Sequence, residues 1–332
     1  QFLWEAGKLL HDRDLGGDPR HIFTTTAATT NSAGGTPLPL TQFTTGNAAT
    51  LLPFLDAGTL TPENIITYVR GVSDVDTSLY RDRTVDNGTA NAVWRLGDIV
   101  NSTPRVVSFV PVNYYNTAYG DHTYTAFLNS DAYKNRGRVI GGTAYGTGLV
   151  FVGANDGMLH AFKLGALQLV NDGTATKAGL LGSNLGREEW AYVPKNSLPY
   201  LKYLMDKDYC HLSFVDLTPL VVDASVCAPG SCSGDYWNAT KDTSSWRTII
   251  IGGMRLGGAC NNTGGGNIVQ TPVNNLGYSS YFALDITDTL AHNGDLASYP
   301  PQLLWEFSDP TLGYSTSGPA IVRINGRTVI GG

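Results

Sequence analysis

The sequence has few charged residues and no run of basic ones. Asp, Glu, Lys and Arg make up 15% of the 332 residues, and the formal net charge is −6. Binding to nucleic acid needs a concentrated positive surface for the phosphates. No apolar run approaches the roughly 18 residues that a membrane-spanning helix requires. We therefore expect neither nucleic acid as a partner nor a membrane span.

Cysteine is also scarce, and its four positions match no cofactor or zinc pattern. A Cys-x-x-Cys-His haem site is absent, and no Cys/His set has zinc-finger spacing. An even number of cysteines among Gly, Ser, Asn and Pro favours disulfides and an oxidising compartment. Of the possible pairings we favour Cys227–Cys232 and Cys210–Cys260. Four reduced, buried thiols are the alternative.

Patterns typical of enzymes are missing as well. The sequence has no G-x-S-x-G nucleophile turn, no P-loop and no dinucleotide-binding glycine pattern. The six histidines, His160 and His211 among them, are scattered and have no acid or cysteine at motif spacing. We expect His160 to be a sheet residue whose hydrogen bonds are satisfied. We predict no catalytic residue and no cofactor within this segment.

One segment resembles the start of a calcium-binding loop. Asp74, Asp76 and Ser78 occupy its first, third and fifth positions, but Leu79 stands where glycine is required and Val85 where glutamate is required. We therefore predict a solvated polar loop here and no metal site.

What the sequence does contain is strong hairpin signals. In Gly148–Leu164, two apolar runs flank Asn155, Asp156 and Gly157, and such residues supply the positive φ of a type I′ turn. Three residues there offer too few oxygen ligands for calcium. We therefore assign them to a hairpin turn.

Similar strand signals recur later in the chain. Trp246–Gly253 is expected to pair with Ser279–Thr287, and Gly318–Gly332 forms another hairpin around Asn325 and Gly326. Hairpins that recur with variable loops favour a propeller, with a sandwich or another all-β fold as the alternative.

The first 93 residues differ from the rest. Phe2–Leu10 has helical spacing, residues 24–50 are predicted to be an exposed irregular loop, and Thr61–Arg70 is a well-capped helix. We predict a mixed helix and loop lead-in over 1–93 and a β domain over 94–332. Short strands of that domain are expected at Tyr124–Phe127 and Phe214–Val222, among others.

Several motifs together resemble the PilY/PilC family of type IV pilus tip-associated adhesins and biogenesis factors. They occur in the family's order over residues 60–330. The matching motifs are NIITYVRG (64–71), WRLGDIVNSTPRVV (94–107), VFVGANDGMLHAF (150–162), EEWAYVPKNSLPYL (188–201), HLSFVD (211–216), WRTIIIGGMRLGG (246–258), YFALDIT (281–287) and LLWEFSDPTLGYSTSGPAIVRI (303–324).

The resemblance implies a modified β-propeller of quinoprotein-like type. It implies a non-enzymatic binding module at the pilus tip or outer cell surface, exported through the periplasm of a Gram-negative-type bacterium. Minor pilins and a host or abiotic surface would be its partners, and it would support pilus biogenesis, attachment and twitching motility. The family's calcium loop would follow Gly332. No leader is visible before FLWEAGKLL, so we expect a fragment or processed product whose propeller is an open arc.

A quinoprotein dehydrogenase that uses pyrroloquinoline quinone and calcium is the rival interpretation. Such enzymes often have a vicinal disulfide near the cofactor, and this sequence has no adjacent cysteines. Trp190, Trp246 and Trp305 are predicted to be buried between blades, whereas a tryptophan that stacks on the quinone would favour the enzyme.

Overall fold

The computed structural model describes residues 3–28, 36–72, 75–171, 173–226, 240–258, 272–273, 276–292 and 295–321. Cys227, Cys232 and Cys260 lie outside these ranges, so both proposed disulfides do too. Cys210 is half-buried. The final predicted turn at Asn325 and Gly326 also falls outside the described residues.

Seven short α-helices accompany the strands in the described part of the chain. Their bounds are α1 Ala6–His11, α2 Ala48–Leu55, α3 Pro62–Arg70, α4 Tyr115–Tyr119, α5 His122–Leu128, α6 Asp131–Lys134 and α7 Thr287–Ala291. Two 3₁₀ helices are also present, at Thr45–Asn47 and Lys195–Met205. Across the described ranges, no helix is both long and apolar enough to cross a membrane.

Helix α3 confirms the prediction made from its capping residues. The Thr61 hydroxyl accepts a hydrogen bond from the Asn64 amide at 3.2 Å, and Pro62 occupies the first helical position. Gly71 ends the helix with a φ of 76°, a conformation that favours glycine. Ile65, Ile66 and Val69 are buried, as their spacing predicts.

Within the described ranges the strands form three sheets. Their bounds are β1 Ile22–Thr24, β2 Thr41–Gln42, β3 Thr84–Asp86, β4 Asn91–Val93, β5 Arg105–Val107, β6 Arg138–Ile140, β7 Thr143–Tyr145, β8 Gly148–Gly153, β9 Leu159–Asn171, β10 Thr176–Leu181, β11 Glu188–Tyr192, β12 Leu220–Ser225, β13 Trp246–Gly253, β14 Tyr281–Asp285 and β15 Gln302–Phe307. The largest sheet has nine strands, and β12-β13-β14-β15 form a four-stranded antiparallel sheet. The third sheet is the β3–β4 pair.

The nine-stranded sheet curls around β9. The first half of β9 pairs with β8 and β11, and its second half pairs with β10 and β6. The register between β8 and β9 shifts next to Gly148, and the facing Gly165 has a φ of 92°. Because a bulge bends a strand and increases its twist, this site turns one long strand into two sheet segments. The sheets fit a partial propeller-like β fold.

Residues from the predicted lead-in belong to the same sheet. β1 pairs in parallel with β11 and antiparallel with β2. The boundary at residue 93 stays a prediction, but the two sides share backbone hydrogen bonds across it.

The four-stranded sheet packs on the curled sheet through a shared apolar core. The predicted pairing of Trp246–Gly253 with Ser279–Thr287 is confirmed, since Ile250 lies opposite Leu284. Buried side chains from both sheets fill the layer between them, among them Phe151, Trp190 and Phe282. This packing follows from the apolar inner faces of two sheets.

Three expectations for local structure were wrong. Tyr124–Phe127 lies in helix α5, where the Asp121 carboxylate accepts hydrogen bonds from the Thr123 and Tyr124 amides and so caps the helix. Strand β12 begins at Leu220 and not at Phe214. Residues 24–50 are not a uniform exposed loop, because they contain β2 and the start of α2, with Phe43 fully buried. Helices α4–α6 also show that the region after residue 94 is not purely β.

Candidate functional site

Asn155, Asp156 and Gly157 join β8 to β9. The Ala154 amide donates to the Met158 carbonyl at 3.0 Å and closes a three-residue loop. Gly157 has a φ of 101°, but neither Asn155 nor Asp156 has a positive φ. The loop therefore differs from the predicted type I′ turn, and its geometry is that of a three-residue hairpin whose last residue is left-handed.

The side chains of this loop turn inward. Asp156 is buried and accepts a hydrogen bond from the Gly97 amide at 2.9 Å. A Cβ on Gly97 would come within 2.4 Å of the Asp156 amide nitrogen, so only glycine allows this approach. The loop thus fixes the segment that carries the WRLGD motif.

Asp156 begins a chain of buried charges. His160 Nε2 lies 3.1 Å from both carboxylate oxygens of Asp156, and its Nδ1 lies 2.7 Å from Glu188 Oε1. The Arg20 guanidinium then donates to both oxygens of Glu188, at 2.7 and 2.8 Å. His160 is a buried sheet residue with both nitrogens satisfied, as predicted. We call Arg20, Asp156, His160 and Glu188 the charge chain.

The charge chain holds alternating signs at neutral pH. Burial lowers the pKa of His160, but the adjacent Asp156 and Glu188 carboxylates outweigh it and raise the value to about 9. Burial raises the pKa of Glu188, yet Arg20 and His160 hold it well below the ordinary range. Two anions and two cations therefore neutralise one another inside the protein, as buried charges require.

Further arginines tie neighbouring backbone segments to the charge chain. Arg13 Nη1 donates to the Glu188 carbonyl at 2.9 Å, and Arg70 Nη2 donates to the Arg20 carbonyl at 2.8 Å. Arg95 Nε donates to the Gly71 carbonyl at 3.0 Å. These contacts join motifs that are far apart in sequence, so the charge chain acts as a structural hub. His160 is fully buried and could not reach a substrate.

Stability should fall as the pH rises above neutrality. The folded-state pKa of His160 exceeds its ordinary value of 6.5, so its contribution is complete below about pH 6.5 and is lost as the pH passes about 9. The free energy of unfolding, measured in urea from pH 6 to 9.5, is expected to drop by up to about 3 kcal/mol. A His160→Gln variant should show a flatter dependence. Equal slopes for the two proteins would contradict this assignment.

A partly exposed pair lies at the mouth of the same loop. His211 Nε2 lies 2.8 Å from Asp98 Oδ2, which also accepts from Asn155 Nδ2 at 2.9 Å. Nowhere in the described ranges do three His, Cys, Asp or Glu residues form a group suited to a metal.

The calcium-like segment behaves as a local turn where the structure describes it. Asp76 Oδ1 accepts from the Ser78 amide at 2.8 Å and from the Ser78 hydroxyl at 2.6 Å. Asp74 lies outside the described residues.

The tryptophans predicted to lie between blades differ in their surroundings. Trp190 is fully buried with its ring centroid 5.7 Å from that of Phe151. Trp246 is buried, but it packs on Tyr124 of α5 at 4.7 Å. Trp305 is only half-buried. Neither Trp190 nor Trp246 offers the open ring face that quinone stacking requires.

An open groove provides the second candidate site. Its volume is about 790 Å³, and it lies among β5, β9, β10 and β12. Apolar side chains dominate its lining, and Arg105 is the only charged one among the described lining residues. These are Leu3, Arg105, Val106, Ser108, Val110, Pro111, Val112, Leu164, Leu167, Ala178, Gly179, Leu180, Leu220 and Val221. We call this the edge groove. An apolar concavity with few polar groups is typical of binding sites.

Comparison with known proteins identifies relatives of one kind. A type IV pilus biogenesis factor PilY1 homolog of Xylella fastidiosa is 28% identical over 280 residues, which are 80% of this chain and 13% of that protein. PilY1 of Pseudomonas aeruginosa strain PAK is 27% identical over 262 residues, 75% of this chain and 16% of that protein. The chain is PilY1-like.

A second PilY1 homolog of Xylella fastidiosa is 29% identical over 196 residues, 58% of this chain. No family model and no solved structure matches the chain. The chain spans 13–16% of the length of the three relatives it matches over 75–80% of its own length.

Sequence reasoning placed His160 correctly but missed its partners. Asp156 is four residues away in sequence and Glu188 is twenty-eight away, so neither stands at the spacing of a known motif. The WRLGD, NDG and EEW segments are recognisable as motifs in the sequence, and the fold brings them together around His160. An expectation that these motifs meet in space was the one sequence feature that could have indicated the charge chain. No short stretch of the sequence predicts the edge groove, because its walls come from strands that are far apart in the sequence.

Proposed function

We propose that this chain is a module of a type IV pilus biogenesis factor and that it acts by binding rather than by catalysis. The similarity to PilY1 proteins over as much as 80% of the chain carries this proposal. The inward-facing charge chain supports it, because its charged groups bond to one another and face no open site. The edge groove offers a surface on which a partner could dock.

The finer parts of the proposal follow the resemblance. We infer a quinoprotein-like propeller, supported by the neighbouring curled and four-stranded sheets. The module would act as an adhesin at the pilus tip after export through the periplasm, with its cysteines oxidised. Minor pilins and a surface would be its partners, and twitching motility would depend on it. Any calcium would be bound outside the described residues.

A chimera tests the proposed function. In Pseudomonas aeruginosa, the 262-residue segment of PilY1 that matches this chain would be replaced by the corresponding part of the chain. We expect surface pili and twitching to return, relative to a strain in which the segment is deleted. The control is the same chimera with Ile250→Asp, which places a charge in a fully buried site and should not fold. A chimera that is stable and exported but forms no pili would contradict the proposal.

A further inference from the structure

We propose that the edge groove binds an extended peptide strand of a partner protein, apolar along one face and bearing a carboxylate next to Arg105. This inference rests on the proposed binding function and names the chemistry of the partner. Three observations carry it: unpaired strand edges, exposed apolar side chains and charge of one sign.

Three of the four strands that border the groove each have one ladder partner. Within the described residues, β5 pairs with β8, β10 with β9 and β12 with β13, and no second ladder is seen for any of the three. β5 and β12 approach each other without a backbone ladder. Arg105 Nε donates to the Pro219 carbonyl at 3.3 Å, and the Thr103 amide donates to the Thr218 hydroxyl at 3.0 Å.

The unpaired strand edges indicate the backbone conformation of the bound molecule. The N–H and C=O groups of an open edge can be satisfied by an added strand. A helix has its backbone groups paired internally, and an acyl chain has none to offer. Because three strands with one ladder partner each contribute residues to the lining of one groove, an extended peptide is favoured.

The exposed apolar side chains of the groove indicate that one face of the peptide is apolar. Val106 is 58% exposed and Val110 is 50% exposed, although both are β-branched residues beside a sheet. Leu167 and Leu180 are half-buried and line the same groove. Exposed apolar surface gathered in one concavity marks a docking site. Alternate apolar residues of an added strand would cover it.

The charge of the groove lining indicates that the peptide bears a carboxylate. Among the described residues that line the groove, Arg105 is charged and none is Asp or Glu. A carboxylate on the peptide would therefore meet a cation and no like charge among these residues, which favours both affinity and a fixed orientation.

The test uses a fluorescein-labelled, end-blocked peptide, EVTVTVE, titrated with the full chain by fluorescence anisotropy. We expect saturable binding that Val106→Glu weakens at least about tenfold. The matched control is Leu169→Glu on β9, since Leu169 is 80% exposed but does not line the groove. It should change the affinity less than about twofold.

Two peptide variants separate strand pairing from simple apolar contact. N-methylation at alternate residues removes backbone donors and should abolish binding. Replacing both glutamates by lysine should weaken binding to the parent chain, and Arg105→Glu should reverse that order. Equal binding of the N-methylated peptide, or competition by phosphatidylcholine vesicles, would overturn the strand assignment.

Failure of this inference can be told apart from failure of the proposed function. If the peptide does not bind but the chimera forms pili, the groove assignment is wrong and the pilus function stands. If the peptide binds as described but the chimera forms no pili, the pilus function is wrong.

Discussion

Replacing Glu188 by alanine is expected to lower the free energy of unfolding by about 3–5 kcal/mol. The Glu188 carboxylate is fully buried and accepts two hydrogen bonds from Arg20 and one from His160. Removing it leaves two cations enclosed without their common anion. The cost comes from the uncompensated charge more than from the lost contacts, because a buried ion cannot recover its hydration.

Urea unfolding at pH 7 measures this effect, and the neighbouring glutamate supplies a matched control. Glu189 is paired with Arg187 at 3.2 Å, and the Arg187 side chain is 34% exposed. The Glu189 side chain is buried, but without it Arg187 would keep Asp18 at 3.2 Å and its contact with water, so Glu189→Ala should cost clearly less than Glu188→Ala. The double variant Arg20→Ala/Glu188→Ala should lose less stability than the sum of the losses in the two single variants. Each single substitution leaves the charge of the other residue buried without its partner. Additive losses would show that the charge chain is not coupled.

Replacing Trp190 by alanine should be comparably destabilising, by about 3–5 kcal/mol. The indole is fully buried and contacts the Phe151 ring in the layer between the curled and four-stranded sheets. Its loss would leave a cavity that two sheets held by backbone ladders cannot close. The variant should also show a lower melting temperature.

Trp190→Phe is the control for this second change. The indole Nε1 has no hydrogen-bond partner among the described residues, so phenylalanine gives up no hydrogen bond and keeps much of the packing. We expect it to cost clearly less than the alanine variant. An unchanged melting temperature for Trp190→Ala would contradict the role of the ring in filling this core.

Local signals predicted the parts of the fold that depend on neighbouring residues. Thr61, Pro62 and Gly71 define helix α3 because capping geometry is set within a few residues. The β8–β9 hairpin and the pairing of β13 with β14 followed from apolar runs of strand length. In each case the sequence contains the whole physical cause.

Helix α5 shows where short patterns fail. Tyr124 and Phe127 are β-forming residues, and a segment of four residues cannot distinguish a strand from one helical turn. The Asp121 cap decides the outcome here, and it was visible in the sequence. The burial of both aromatic rings at a spacing of three residues agrees with the helix.

The candidate sites depend on topology that one sequence does not reveal. Arg20 and Glu188 are 168 residues apart, and they meet because β1 is parallel to β11. The walls of the edge groove come from β5, β9, β10 and β12, which belong to two different sheets. Long-range strand order therefore creates both the charge chain and the groove.

The most direct test of the pilus assignment is fractionation of the chimeric Pseudomonas aeruginosa strain. Pili would be sheared from the cells and pelleted, and this chain would be detected by antibody in the pilus, cell and medium fractions. We predict that the chain sediments with the pili and leaves that fraction when the major pilin is deleted. Recovery of the chain only in cells or medium, in a strain that still forms pili, would contradict its assignment as a pilus-associated module.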